Sequence, residues 1–274
     1  MPCIFLLQSI MDIFDTIRAR HSVRTFAGVP LDETQTRTLR EAIDSASSPF
    51  GGGVSIRLCR FDLKGPQKPG TYGTITGASD YLLMAYGDGC ESALSAGYMM
   101  EQVVLRATSM GLGTCWIAAT FRGGDFDRGQ TWPDGESLKI ISPVGLPASR
   151  KSLRDRLTST FARSGTRKPF GELFFDGSFG VPLSEESLFG ESLAMLRLAP
   201  SSVNSQPWRA VVCDGTVHFY CKSAKPLYIL DSGIGLCHFH LAENATGVVG
   251  EFVELADFPA PPADLRYLMS YRRI

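Results

Sequence analysis

Apolar and polar positions follow one another along this 274-residue chain in blocks of changing period. Asp12 to Arg18 carries a short helical repeat. Asp32 caps a second helix through Leu39 and Ile43, which stops at Ser47-Ser48-Pro49-Phe50 and the glycines Gly51 to Gly53. Val54 to Leu63 alternates as a strand, and Tyr81 to Tyr86 is an apolar run of the length of a buried strand. The strongest helix spans Glu91 to Met110. Its Ala96, Met99, Met100, Val103, Val104, Ala107 and Met110 cover so broad a face that the helix belongs at the centre of the molecule. Gly111-Leu112-Gly113 ends it. Leu138 to Gly145 reads as a further strand, and Ala148 to Lys168 as a polar, basic linker.

Beyond the linker the order repeats. Val29-Pro30-Leu31-Asp32-Glu33 and Val181-Pro182-Leu183-Ser184-Glu185 each open a helix, 152 positions apart (181 − 29). Each helix leads to a turn containing Ser-Ser, at Ser47-Ser48 and at Ser201-Ser202. Arg209 to Cys213 and Val217 to Cys221 form a hairpin around Asp214-Gly215. A glycine-bounded helix from Gly233 to Gly247 matches Gly97 to Gly111, and after Gly250 the prolines Pro259, Pro261 and Pro262 predict irregular chain. The shared order points to a duplication, with halves at 1–155 and 156–274.

Composition narrows the function classes. With 27 basic and 28 acidic residues the net charge is −1, which gives no footprint for nucleic acid or a membrane surface. No run reaches the roughly 18 apolar residues of a membrane span, and the apolar start Met1 to Leu7 lacks the basic leader of a signal peptide. Seven cysteines without a Cys-x-x-Cys pair argue for buried thiols in a reducing cytoplasm. His238 and His240, two apart on a helix, face different ways and make no metal pair.

Two segments carry candidate chemistry. In Arg20-His21-Ser22-Val23-Arg24-Thr25-Phe26, alternation places Arg20, Ser22 and Arg24 on one side, two guanidinium forks and a hydroxyl suited to a phosphate dianion, with His21 opposite. In Pro200-Ser201-Ser202-Val203-Asn204-Ser205-Gln206-Pro207-Trp208, small hydroxyls and amides suit a flat polar ring, with Gln206 and Trp208 locking the turn.

Together these segments resemble the FMN-dependent nitroreductase family. In that family both motifs lie in one short stretch, and FMN sits between the subunits of an intertwined dimer. Here 174 positions separate Phe26 from Pro200 (200 − 26), and the chain resembles the tandem, fused subfamily. The resemblance implies an α+β fold, a mixed sheet flanked by helices in each half, and an intramolecular pseudo-dimer able to stand as a monomer. It implies FMN held by Arg20, His21, Ser22 and Arg24 at the phosphate end and by Pro200, Ser201, Ser202 and Asn204 at the ring. Ala118 and Ala119 would approach N5 through their backbone, and Arg150 and Lys151 would close over the phosphate. NAD(P)H would deliver hydride to N5 for a nitroaromatic, quinone or similar small-molecule acceptor, with no catalytic side chain. The alternatives are an FMN-binding protein without turnover and a flavin-free binding module. The first half has Gly51–Gly53 in place of Asn-x-Gln-Pro-Trp, and the second has Lys168-Pro169-Phe170 in place of the arginine motif. One FMN per chain is therefore expected, with an empty mirror groove between Gly51–Gly53 and Lys168.

Overall fold

The computed structural model describes residues 11–65, 68–149, 165–223 and 225–274. The first helix, α1 (Ile13–Ala19), starts at Asp12, whose carboxylate accepts from the Asp15 N–H. The second, α2 (Glu33–Ser45), starts in a reciprocal capping box between Asp32 and Gln35. Strands β1 (Val54–Arg60) and β2 (Asp80–Tyr86) pair antiparallel. The long α3 (Cys90–Ser109) follows, then β3 (Gly113–Thr114), α4 (Gly123–Asp127) and β4 (Ser137–Gly145). The first sheet runs β1-β2-β4-β3, with isolated parallel bridges Ser22–Thr114 and Thr25–Thr76 at its margin. β2 reads as an unbroken apolar run because both of its faces are covered. Leu82 and Met84 join the main core, whereas Tyr81 and Leu83 face a satellite cluster with Phe126 and Ile141.

The second sheet is mixed. β5 (Phe174–Asp176) lies parallel to β6 (Trp208–Cys213), and β7 (Thr216–Lys222), β9 (Leu265–Arg273) and β8 (Gly250–Val253) complete the order β5-β6-β7-β9-β8. Helix α5 (Gly190–Arg197) packs on α6 (Leu227–Ala245), which lies against this sheet. The main core draws on α3, α6 and both sheets.

Three expectations from the pattern need correction. The helix paired with α3 begins at Leu227, not at Gly233. Pro226 caps it, a position where a missing N–H costs nothing, and Gly233 lies inside the helix for a steric reason. A Cβ there would come within 2.0 Å of the Leu94 carbonyl oxygen on α3, and a Cβ on Gly97 within 2.1 Å of the Leu230 carbonyl oxygen on α6. The chain after Gly250 includes two paired strands, an edge strand and an inner one on which Tyr271 is fully buried. The helix after Val181 starts only at Gly190, where the chain doubles back so closely that a Cβ would meet the Glu185 carbonyl oxygen.

Candidate functional site

α1, the strand-like segment after it, the exit from β3, the 200–204 turn and the first two turns of α6 enclose one cavity of about 500 Å³, in the size range of cofactor pockets. Arg20, His21, Ser22 and Arg24 line it, as do Ala118, Ala119, Pro200, Ser201, Ser202 and Asn204. The two motifs separated along the chain thus meet at one place. Arg150 and Lys151 lie outside the described residues.

Local structure explains the meeting. The Val23 N–H donates to the Thr114 carbonyl, and the Ala27 N–H to that of Leu146, fastening the Arg20–Phe26 segment to the first sheet. Ile117 and Ile141 exchange backbone hydrogen bonds, which leaves Ala118 and Ala119 exposed on the cavity side. His21 donates from Nδ1 to the Ala19 carbonyl at 2.9 Å, and it too lines the cavity instead of pointing away from it. The correction follows from that bond, which turns the ring back toward the helix end.

Arg20 is 8% exposed. Its guanidinium lies 3.8 Å from Glu101 of α3, and its Nε, fully buried, has no hydrogen-bond partner among the described residues. Burial pulls the Arg20 pKa down, with Glu101 opposing. Glu101 is completely buried, accepts from Trp116 Nε1 at 2.9 Å and faces His238 Nε2 at 2.8 Å. His238 Nδ1 lies 3.1 Å from the Met195 carbonyl oxygen, which can only accept. A second proton therefore lies between His238 and Glu101, whichever of them holds it.

A second arginine reaches the same cavity. Arg167 donates to Asn204 Oδ1 at 3.1 Å and to the Leu198 carbonyl at 2.9 Å. Burial first, then the like charges of Arg20 and Arg197, push its pKa down to about 10. Asn204 also donates to the Thr166 carbonyl, so its amide holds the Arg167 segment against the turn. Gln206 and Trp208 do lock the turn: Gln206 receives the Lys168 N–H and donates to the Asn204 carbonyl, and Trp208 is buried. Val203, Asn204 and Gln206 all adopt φ near +50°, a strained backbone held by these bonds.

Lys168 is therefore a neighbour of the same turn. Gly52 and Gly53 approach Ser92 and Glu136.

Pattern reading missed three site residues. Glu101 and Asp231 are single acids inside apolar helical runs, a legible signal, whereas Arg167 is one of many cations in a basic stretch. Asp231, on α6, is 3% exposed and lines the cavity; both of its oxygens lie near the Ser202 N–H, at 3.0 and 3.1 Å. Burial pushes its pKa up to about 7, against the lowering by Ser202 and Ser205. An acid raised in the folded state contributes stability that is full below its unfolded value near 3.8 and is lost as pH rises to about 7. The difference amounts to about 4 kcal/mol at most. Relative to Asp231→Asn, the wild type should lose stability from about pH 4 to about pH 7 in urea melts. Parallel pH profiles for the two proteins would count against this.

Among the described residues no His, Cys, Asp and Glu cluster has the makings of a metal site, and no helix is long and apolar enough to cross a membrane. Cys59, Cys90, Cys115, Cys213, Cys221 and Cys237 are free thiols.

The molecule is an α+β fold with two sheets and a cavity lined by several arginines. The chain belongs to the nitroreductase family described as "Putative TM nitroreductase", which matches residues 12–243. A putative nitroreductase from Thermotoga maritima MSB8 is similar over 99% of this chain and 97% of its own, at 20% identity and a TM-score of 0.62, and shares the fold. A putative NADH dehydrogenase/NAD(P)H nitroreductase from Bacteroides thetaiotaomicron VPI-5482 is 22% identical over 51% of this chain and 89% of its own, with a TM-score of 0.42. A nitroreductase with bound FMN from Bacteroides fragilis NCTC 9343 is 16% identical over 52% and 92%, with a TM-score of 0.41. No curated protein sequence matches the chain.

Proposed function

We propose that the cavity holds one FMN and that the protein is an NAD(P)H-dependent oxidoreductase of nitroreductase type, passing hydride to a nitroaromatic, quinone or similar small acceptor. The carrying observation is the gathering of Arg20 and Arg167 at one cavity. The like charges of buried Arg20 and Arg167 repel, and Arg20 Nε is buried with no hydrogen-bond partner among the described residues, an arrangement that a phosphate dianion would relieve. Arg20, Ser22 and Arg24 would hold that phosphate, and Ser201 and Ser202 would meet the polar edge of the ring. Ala118 and Ala119, without bulk, leave a ring face open to a second ligand. FMN supplies the hydride chemistry when bound. The aliphatic side chains of Ile17, Ile117, Leu198, Leu227, Leu230 and Ile234 exclude water around it.

One site per chain, in a pseudo-dimer of two fused halves, is supported by reciprocal contacts. Gly97 meets Leu230 and Gly233 meets Leu94, all pairs 136 apart in the repeat (233 − 97, 230 − 94). By the same offset Asp231 corresponds to Ser95, and each pins its own turn, Ser95 through Gly51 and Ser48, Asp231 through Ser202. In the mirror position Phe50, Tyr98, His240 and Phe252 fill the space with rings in edge contact.

A flavin absorption band in the purified or FMN-supplemented protein, bleached by NADH or NADPH without oxygen, tests this reading; a protein that ignores FMN refutes it. Arg20→Ala should weaken FMN binding about 10- to 100-fold in fluorescence titration, the cost of one or two charge-assisted hydrogen bonds. An unchanged affinity would remove Arg20 from the phosphate site.

A further inference from the structure

Asp231 is a carboxyl where holding a turn does not require one. Its counterpart Ser95 secures the mirror turn with a neutral hydroxyl. Burying an ionisable acid is costly unless it is paired, yet no ion pair among the described residues includes Asp231. Its hydrogen-bond donor is the Ser202 N–H, with the Ser205 side chain close by. The charged and titratable groups sharing its cavity are Arg18, Arg20, His21, Arg24 and Arg167. On the helices around it, Glu101 of α3 and His238 of α6 are hydrogen-bonded to each other, and Cys221 of β7 interacts with Ser232 and Arg266.

We propose that Asp231 is the proton-exchanging residue of the cavity, gaining a proton when the bound flavin is reduced and giving it to a quinone or nitroaromatic acceptor. The proposal rests on the FMN reading above. Hydride from the reduced nicotinamide brings two electrons and one proton, and leaves one added negative charge in the cavity. The Asp231 carboxylate then takes a proton from solvent, because a new negative charge in a low-dielectric cavity favours the neutral acid. When hydride passes on to a quinone, the Asp231 O–H bond breaks, its proton joins the reduced quinone to complete the hydroquinone, and the carboxylate returns. A resting value near neutrality lets the residue both accept and release the proton at physiological pH.

The test is an anaerobic spectroelectrochemical titration of the FMN-loaded, full-length protein between about pH 7.5 and pH 9, where the resting Asp231 is a carboxylate. The wild-type midpoint potential should fall with pH about twice as steeply as that of Asp231→Asn, because two protons accompany two electrons in one and one proton in the other. Asp231→Ser, which copies Ser95, should behave as Asp231→Asn does and serves if the amide variant loses flavin. A wild-type slope of one proton per electron pair overturns the proposal without any variant. So does a variant slope equal to the wild type's. If no protein shows a flavin band, the FMN reading itself fails and takes this proposal with it.

Discussion

Glu101→Ala is expected to destabilise the fold by about 3–5 kcal/mol, the range for removing one partner of a buried ionic group. Glu101 has no exposed surface, and three side chains converge on it: Arg20, Trp116 and His238. One of these comes from the far side of the chain, since His238 is on α6 beside the Met195 carbonyl of α5. Alanine leaves the Trp116 N–H without its acceptor, His238 Nε2 without its hydrogen-bond partner, and Arg20 without the neighbouring carboxyl. Each is a buried polar group stripped of compensation. Urea unfolding should show a lower midpoint with an unchanged slope, and Glu101→Gln, which keeps an acceptor for Trp116, should recover part of the loss. A midpoint equal to the wild type's would mean that the cluster carries no net stability.

The second large effect is at the crossing of α3 and α6. Gly233→Ala should cost about 3 kcal/mol, the upper end of the usual overpacking penalty, because the new methyl meets the Leu94 carbonyl oxygen at 2.0 Å and backbone cannot step aside as a side chain can. At roughly 2–4 °C per kcal/mol for a chain of this size, the melting temperature should drop by about 6–12 °C. Gly97→Ala should do the same through Leu230. Calorimetry decides: a shift under about 2 °C for either variant would show that the helices separate freely. Because Leu230, Asp231 and Ile234 line the cavity, forcing α6 away should also weaken FMN binding.

The parts of this molecule legible in its sequence are those fixed by local rules. Asp12 and Asp32 announce two helix starts through short-range hydrogen bonds. α3 appears within a residue of its predicted ends because its apolar face is nearly continuous. The segments Arg20–Arg24 and Pro200–Asn204 were likewise readable, each being contiguous. What escaped depends on pairing across long separations. β9 is held by β7 and β8, and no feature of Arg266, Tyr267, Arg272 and Arg273 alone announces a strand. Gly233 looked like a boundary because glycine ends many helices, whereas here it admits a neighbour's backbone. Glu101, Asp231 and Arg167 acquire their roles only when α3, α6 and the segment before Phe170 converge on one cavity.

Both walls of that cavity belong to a single polypeptide. Where a site is shared between separate subunits, its integrity follows mass action, and dilution takes it apart. Here covalent linkage keeps the Arg20 wall and the Ser202 wall at a fixed effective concentration. The site's occupancy at nanomolar protein should then depend on the amount of ligand and not on the amount of protein.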